Sequence, residues 1–514
     1  MTVYNVNLGI GWASSGVEYA QSYRNQLLRS LNIPAKFIFS DMILGNNIED
    51  LTKNLGFEDD QIIWLYNFFT DVKIAPSSYR LTDFEKEEKI SKRHFKKTIS
   101  EDGKNVNYAS NDEQLVIIAR LHNPKDEQQT IDQVSYVGQG MLVKRDFYSY
   151  VKYATEYYNG DAKNLHVVYR QFYNEDGSVA YTQHLQGKTE TFEFPEHIYY
   201  TKNDLYLKMI KQLDFQSDDT VIIDRMDDGN VLINGQLLFE NHGDAHLVIV
   251  VHADHYDKHF TNQQHILWNN FYEYQFTHAD DVDAFIVSTD AQKQMLTHQF
   301  KKYGAVKPNV VTIPVGSLDE LHKPDTPRKK HSIITASRLA PEKHLDWLVR
   351  ATIQAHSKVA DISLDIYGEG GERNHLLKII KENGAEDYIH LKGQHNLTNI
   401  YSQYAAYVAA STSEGFGLSL MEAVGSGLPM VGFDVPYGNP TFIANGKNGH
   451  LLPYNADWQT QQKVGTLAEG IIQLFTKDNL NNFSEYSYKI AEQYLSTNVA
   501  NQWQQLLEGL KKND

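Results

Sequence analysis

The chain has 514 residues, a formal net charge of −17 and no cysteine. This length allows two or three domains, each with its own core, and the absence of cysteine excludes disulfides and thiolate metal sites. The acidic balance argues against a nucleic-acid-binding protein, which usually carries a basic surface. Since no apolar run approaches the roughly 18 residues of a membrane span and no signal-peptide pattern opens the chain, we expect a cytoplasmic protein with at most peripheral membrane contact.

The N-terminal segment predicts a strand, a glycine loop, a helix and a second strand, which is a Rossmann-type opening. These parts are Val3–Leu8, the loop with Gly9, Gly11 and Gly16, Val17–Leu31 and Ala35–Phe39. Backbone amides of such a loop can approach an anion at the helix N-terminus. Ser14 stands where a dinucleotide fingerprint needs its third glycine, although Asp41 could imitate the ribose-binding acid of an NAD enzyme. The NAD interpretation is therefore the less favoured alternative.

Between Asp71 and Leu213 the predicted segments become short, aromatic and β-branched. Asp102-Gly103 and Asp176-Gly177 are tight-hairpin signals between such segments. We therefore predict an inserted, mostly antiparallel β-domain, and we expect the charged stretch Asp83–Lys97 to be a solvated helix or loop on it.

Alternating β/α character returns after the insert, and a polar linker at Ser317–Lys330 precedes a second β/α domain. The sequence thus predicts an α/β protein with two Rossmann-like domains. The expected boundaries are 1–70 with 214–316 for the N-terminal, acceptor-side domain, 71–213 for the insert that binds acceptor or partner, 317–495 for the C-terminal nucleotide-sugar domain and 496–514 for a C-terminal helix. In that helix Trp503, Leu506, Leu507 and Leu510 share one face, which favours packing at the domain junction over membrane docking.

Two cations follow the predicted strand Ser332–Ala336. Arg338 and Lys343 are five residues apart at a strand-to-helix junction, where they can converge on a diphosphate, Arg as a fork and Lys as a point charge. A surface ion pair with Glu342 is an equally good interpretation of these residues taken alone.

Two carboxylates bracket a glycine-rich turn further along the chain. Glu414 precedes a predicted helix and Glu422 lies about two turns into that helix, so each can accept hydrogen bonds from sugar hydroxyls. The pair could instead be the acid and base of a glycosidase, whose spacing the sequence does not exclude. A hydrolase, however, gives no role to Arg338 and Lys343.

The segment from Glu414 to Glu422 resembles the E-x7-E signature of the retaining, glycogen-synthase-like glycosyltransferases of family 4, which have the GT-B fold. The resemblance covers mainly residues 330–450, with the N-terminal glycine loop as a second anchor. It implies that Arg338 and Lys343 hold the diphosphate of a nucleotide sugar and stabilise the departing nucleotide. Glu422 would bind the ribose, and Glu414 would bind the sugar with the backbone of Gly415, Phe416 and Gly417.

Further roles follow from the same resemblance. Gln394 and His395 would contact the base, and His252, at the end of a predicted strand, would face the donor sugar. The start of the first helix would approach the phosphates through Gly16, Val17, Glu18 and Tyr19.

The whole chain is similar to the transferase subunits of the accessory Sec system. That resemblance implies transfer of GlcNAc from UDP-GlcNAc to Ser/Thr of a serine-rich-repeat adhesin, with UDP-glucose as a second possible donor. It also implies a hetero-oligomer with a homologous, non-catalytic GtfB-like stabilising subunit. Wall-teichoic-acid glycosyltransferases, whose insert is similar, are the alternative, and a silent substrate-binding subunit is another. Retention of all four donor-site side chains favours an enzyme.

We expect no metal and no cofactor besides the nucleotide-sugar co-substrate. Asp281-Val282-Asp283 matches the D-x-D pattern through which another glycosyltransferase fold binds Mn2+. Its place just before the predicted strand Ala284–Ser288 favours a solvated strand entry.

Overall fold

The computed structural model describes residues 1–12, 16–161, 163–225, 234–304 and 308–511. The chain divides into two compact units, one of Met1–Glu18 with Pro34–Leu247 and the other of Tyr19–Ile33 with Val248–Asp514. Ala13, Ser14 and Ser15, which form part of the predicted glycine loop, lie outside the described residues.

The N-terminal segment has the predicted order of strand, helix and strand. Its elements are β1 (Val3–Asn7), α1 (Gly16–Ser30), β2 (Ala35–Phe39), α2 (Ile48–Lys53) and β3 (Ile62–Trp64). Strands β1, β2 and β3 pair in parallel. Nearly all their side chains are buried, as is typical of parallel strands that are covered on both faces.

The predicted insert is an antiparallel sheet. Its elements are α3 (Leu81–Glu87), β4 (Lys96–Ile99), β5 (Asn105–Ala109), β6 (Leu115–Leu121), β7 (Ile131–Gly138), β8 (Met141–Tyr148), β9 (Lys152–Asn159), β10 (His166–Tyr173), β11 (Val179–Gln186), β12 (Thr189–Glu193) and β13 (Ile198–Tyr199). Within the described residues β4 to β13 form one meander in chain order. Both predicted hairpins are present, one turning at Gly103 between β4 and β5 and the other at Gly177 between β10 and β11, where each glycine has a positive φ.

The charged stretch Asp83–Lys97 is only partly solvated. Phe84 of α3 is 1% exposed and packs in the core of the insert with Leu81 and Ile90. Lys96 and Lys97 belong to the exposed edge strand β4. The expectation holds for the charged side chains and fails for Phe84 and Ile90, because the spacing of three residues between Leu81 and Phe84 gives a short helix one apolar face, which the surrounding charges mask.

His122, next to β6, joins the insert to α2 in the first unit. Its Nε2 lies 3.4 Å from Asp50 Oδ1 and its Nδ1 lies 3.8 Å from Asp132 Oδ2, while Arg120 donates to Asp132 and to the carbonyl of Gly45. The carboxylate of Asp132 raises the pKa of His122, and the charge of Asp50 adds to the effect. Protonated His122 therefore stabilises the folded chain.

We expect the stabilisation from His122 to be largest in mild acid. The pKa of His122 in the folded chain lies above its value of about 6.5 in the unfolded chain. The stabilisation by His122 is therefore complete below about pH 6.5 and is lost as the pH rises through the pKa of the folded chain. The difference in Tm between the wild type and His122→Gln should therefore shrink from pH 5.5 to pH 8.5. The exposed His298 supplies the matched control, His298→Gln. A difference in Tm that stays constant with pH would contradict the role given to His122.

The next elements complete the first unit and open the second. They are α4 (Lys202–Leu213), β14 (Thr220–Ile223), α5 (Asn234–Glu240), β15 (His246–Val251), β16 (Tyr256–Asp257), β17 (Leu267–Trp268), α6 (Asn270–Thr277), β18 (Ala284–Val287), α7 (Asp290–Tyr303) and β19 (Val310–Thr312). In the first unit β14 pairs in parallel with β1. In the second unit β18 pairs in parallel with both β15 and β19. The D-x-D aspartates stand just before β18, as expected, and no cluster of metal-ligating side chains occurs among the described residues.

The C-terminal part of the second unit is a doubly wound α/β fold. Its elements are β20 (Ser332–Ala336), α8 (Leu345–His356), β21 (Ser363–Tyr367), α9 (Arg373–Glu382), β22 (Ile389–Gly393), β23 (Ala406–Ala409), α10 (Leu418–Gly425), β24 (Met430–Phe433), α11 (Gly438–Phe442), β25 (Gly449–Leu452), α12 (Thr460–Thr476), α13 (Leu480–Ala491) and α14 (Ser496–Lys511). In the described chain the parallel strands follow the order β22-β21-β20-β23-β24-β25. Helices α8, α9 and α12 cover one face of the sheet, and α10 and α11 cover the other.

The last helix buries the apolar face that the sequence predicts. In α14, Trp503 is 3% exposed, and the three leucines on the same face are also buried. The guanidinium of Arg24, on α1, lies 5.3 Å from the ring centre of Trp503, so α14 packs against α1 within the second unit. Among the described residues, none of the helices has both the length and the apolar character needed to cross a membrane.

Candidate active site

The loops after β20, β22 and β23 carry most of the predicted site residues. Because the carboxyl ends of parallel strands meet at one edge of a sheet, these loops lie together. Arg338 and Lys343 follow β20, Gln394 and His395 follow β22, and Glu414 follows β23. Ligands of open α/β sheets bind at this kind of edge, so its geometry defines the candidate site.

Lys343 and Glu414, which are 71 residues apart in the sequence, form an ion pair. Lys343 ends the 3-10 turn Pro341–Lys343, and its Nζ donates to Glu414 Oε2 at 2.7 Å. The two side chains are 18% and 20% exposed, so water screens the pair only partly. A fixed cation therefore lies beside a fixed carboxylate at the sheet edge.

Arg338 makes the surface ion pair that the sequence left open. Its Nη2 lies 3.1 Å from Glu342 Oε1, and its side chain is 66% exposed. A guanidinium carries five N–H donors, so the exposed group can also bind an anionic ligand. The ion-pair alternative holds for Arg338 with Glu342, whereas Lys343 contacts Glu414 instead.

The backbone of Glu414 is fixed by the loop after β24. Its N–H donates to the carbonyl of Pro436, and its own carbonyl accepts from the amides of Tyr437 and Gly438 at 2.7 and 2.6 Å. A Cβ at Gly438 would collide with the carbonyl oxygen of Phe416. Glycine is thus needed for the two loops to approach each other this closely.

Gly417 positions the start of α10. It is the N-cap residue of the helix and has φ of +88°, a backbone region that glycine reaches without strain. The turn from Glu414 to Gly417 thereby presents backbone groups at the N-terminus of α10, where hydroxylated or anionic ligands are favoured.

Glu422 lies on α10 between two tyrosine hydroxyls. Tyr401 donates to its Oε2 at 3.0 Å, and Tyr23 of α1 donates to its Oε1 at 3.3 Å. Burial raises the pKa of Glu422, while the two hydroxyl donors act in the opposite direction. Burial also raises the pKa of Tyr23, so Tyr23 remains a donor at neutral pH. The carboxylate is held in one orientation by groups that no motif in the sequence indicates.

His252 lies beside the Glu414 loop. It follows β15, and its carbonyl oxygen packs so closely on Gly415 that a Cβ at that glycine would collide with it. Two residues later, Asp254 accepts a hydrogen bond of 2.6 Å from the hydroxyl of Ser413. Sequence analysis missed Asp254 and Ser413, because nothing in their local pattern indicates a contact across 159 residues.

The remaining predicted residues occupy different surroundings. Gln394 and His395 are exposed at the sheet edge, and the His395 ring lies edge-on to Tyr367 at 5.7 Å. The residues Gly16, Val17 and Glu18 belong to the first unit, where Glu18 is buried and accepts from Asn7 Nδ2 at 3.1 Å. Tyr19 is 39% exposed and belongs to the second unit. Their roles toward a donor remain predictions.

A cation–carboxylate pair at the strand ends with a second carboxylate on the following helix is what the resemblance to GT-B glycosyltransferases implies, and similarity to known proteins shows that the chain is such an enzyme. The family model for glycosyl transferases group 1 matches residues 330–477, which contain this site. A second model, for the GtfA extended beta-sheet domain, matches residues 96–196, within the antiparallel meander. A GtfA subunit of a UDP-N-acetylglucosamine–peptide N-acetylglucosaminyltransferase, from Limosilactobacillus reuteri subsp. suis, is 59% identical over 512 residues, 99% of this chain and 100% of the relative. The chain belongs to the GtfA family.

Solved structures confirm the predicted GT-B fold. The pneumococcal O-GlcNAc transferase GtfA, solved in complex with UDP and GlcNAc, superposes with a TM-score of 0.93 at 46% identity, over 99% of both chains. A chain of a GtfA/B complex superposes with a TM-score of 0.89 at 48% identity, over all of both chains. The predictions of fold, family and enzyme class are therefore correct.

Proposed function

We propose that the chain transfers GlcNAc, or glucose, from a UDP-sugar to Ser/Thr side chains of a serine-rich-repeat adhesin, with retention at the anomeric carbon. This would be the first step of O-glycosylation of that adhesin. The observation that carries the proposal is the Lys343–Glu414 pair of 2.7 Å at the edge of the sheet. The full-length identity of 59% with a UDP-GlcNAc–peptide transferase supports a peptide acceptor over a polyol phosphate.

The cations of the site would serve the leaving group. Arg338, which is exposed, and Lys343, which is fixed, would bind the diphosphate of the donor. Their attraction grows as the departing nucleotide gains charge, so they stabilise the transition state more than the bound donor.

The carboxylates would orient the two ends of the donor. Glu414 and the backbone of Gly415–Gly417 would bind the sugar, and Glu422, held by its two tyrosines, would accept from the ribose hydroxyls. Gln394 and His395 would contact the base. His252, whose carbonyl packs on Gly415, would face the donor sugar.

For the chemical step we propose a same-face displacement. The bond from the anomeric carbon to the phosphate oxygen breaks while the acceptor oxygen bonds to the same face of that carbon. The acceptor proton passes to an oxygen of the departing diphosphate, so no protein base is required. A sugar covalently trapped on Glu414 would contradict this mechanism.

We propose that the reaction needs no metal ion. The support is that two cationic side chains are available to balance the charge of the diphosphate at the site. Full turnover in EDTA is the expected result, whereas loss of turnover that Mn2+ restores would contradict it.

A hetero-oligomer with a homologous GtfB-like subunit belongs to the same proposal. Its support is the similarity to a chain from a GtfA/B complex over the whole length. We also propose a cytoplasmic location with at most peripheral membrane association, which cell fractionation would test.

The test is release of UDP from a panel of UDP-sugars, with a Ser/Thr-rich repeat peptide or a polyol-phosphate polymer as acceptor. Peptide-dependent release from UDP-GlcNAc or UDP-glucose is expected, and the panel would identify the donor. Release that depends only on the polyol phosphate would contradict the proposed acceptor. No release from any donor, even with the partner subunit added, would contradict an enzymatic role and favour a substrate-binding subunit.

A further inference from the structure

The segment His252–His255, which follows β15, exchanges hydrogen bonds with side chains of α6, of the N-cap residue of α6 and of α7. The amides of His252 and Ala253 both donate to the hydroxyl of Tyr272, at 3.0 and 3.2 Å. Gln292 donates to the carbonyl of Ala253, and Asn269 donates to the carbonyl of Asp254, each at 3.0 Å. The backbone of this segment therefore has a fixed position relative to the helices behind it.

This segment contacts the loops around Glu414 at three points. The carboxylate of Asp254 accepts from Ser413, directly before Glu414, and the carbonyl of His252 packs on Gly415, directly after Glu414. The ring of His255 stacks on Tyr437 at 5.9 Å with an interplanar angle of 17°. Since the amide of Tyr437 donates to the Glu414 carbonyl, all three contacts are made to direct neighbours of Glu414.

We propose that Asp254 is a positioning residue for the donor site, which holds Ser413 and thereby keeps the Glu414 carboxylate beside Lys343. The hydrogen bond of 2.6 Å joins two side chains, so a substitution can remove it without changing the backbone. The inference rests on the proposed function, because it assigns the role of a residue in that site.

The positioning role of Asp254 does not require its negative charge. Burial raises the pKa of Asp254, and the nearby Glu414 carboxylate adds to that effect, so a second negative charge here is unfavourable. The carbonyl oxygen of asparagine can accept the same hydrogen bond without the charge. An acceptor at this position is therefore sufficient for the positioning role.

Four variants separate positioning from a catalytic use of the charge: Asp254→Ala, Asp254→Asn, Ser413→Ala and the double variant Asp254→Ala/Ser413→Ala. We expect each alanine variant to lower kcat about tenfold, a loss of the size expected for one buried hydrogen bond, with little change in affinity for UDP. The asparagine variant should keep most of the turnover. The double variant should lose no more than the worse single variant, because both single changes remove one interaction.

The matched control is Asp257→Ala. Asp257 is 44% exposed and accepts from the amide of His259 in its own turn, so we expect wild-type turnover. A second readout does not need activity. Hydrogen exchange of residues 411–417 should accelerate in Asp254→Ala and Ser413→Ala and stay slow in Asp254→Asn.

Each of three results would overturn the inference: asparagine as slow as alanine, a double variant in which the two losses multiply, or unchanged hydrogen exchange in the alanine variants. If the wild type turns over none of the UDP-sugars, the proposed function fails, while hydrogen exchange still tests the positioning of the Glu414 loop.

Discussion

Replacement of Lys343 by alanine is expected to lower kcat/KM for the UDP-sugar by about 100- to 1000-fold while the chain stays folded. Lys343 Nζ lies 2.7 Å from Glu414 and is mostly shielded from water, so its charge acts on a bound diphosphate with little screening. The variant also removes the donor that fixes the Glu414 carboxylate. Steady-state UDP release measures the loss, and circular dichroism and Tm measure the fold.

The stability cost of Lys343→Ala should be small. A partly exposed ion pair contributes about 1–2 kcal/mol, against about 5–15 kcal/mol for a typical domain. Lys378→Ala is the matched control, because Lys378 pairs with Glu382 on the exposed face of α9, at 3.8 Å, away from the sheet edge. If turnover is unchanged in Lys343→Ala, or is reduced equally in the control, Lys343 is not a residue of the donor site.

Most of the fold was predictable from the sequence because its signals are local. Continuous apolar runs predict buried parallel strands, and β2 and β20 have the predicted bounds of Ala35–Phe39 and Ser332–Ala336. The two Asp-Gly turns are local signals as well, and each indicates a hairpin. The error at Asp83–Lys97 was also local and concerned its apolar residues, since Phe84 is buried while the charges around it remain in water.

Site residues were predictable where a single short segment of the sequence sets their relative positions. The spacing from Glu414 to Glu422 spans the turn and α10, and the strand-to-helix junction gives the place of Lys343. Their partners were not predictable in the same way. Tyr23 of α1, Tyr401 and Asp254 come from distant parts of the chain, and their contacts depend on how α1, the loop before β23 and the end of β15 pack around the sheet edge.

Replacement of Gly415 by alanine is expected to lower kcat by about 100-fold, although it adds only one methyl group. The added Cβ would overlap the carbonyl oxygen of His252, which belongs to a segment that Tyr272 and Gln292 hold in place. The Gly415 loop must therefore move, and Glu414 moves with it, away from Lys343. A displacement of about 1 Å at a reacting group can cost about 100-fold in rate. Single-turnover kinetics at saturating donor would isolate this loss from any loss in binding.

Gly371→Ala is the matched control at the same sheet edge, because no atom lies within 4 Å of a Cβ built at Gly371. Its turnover should equal that of the wild type. If Gly415→Ala also keeps wild-type turnover, the contact with His252 is not needed to place Glu414. If Gly415→Ala loses turnover and Lys343→Ala does not add to the loss, both changes act by separating Lys343 from Glu414, as residues in one interaction should. Multiplying losses would instead mean that Lys343 acts on the diphosphate independently of Glu414.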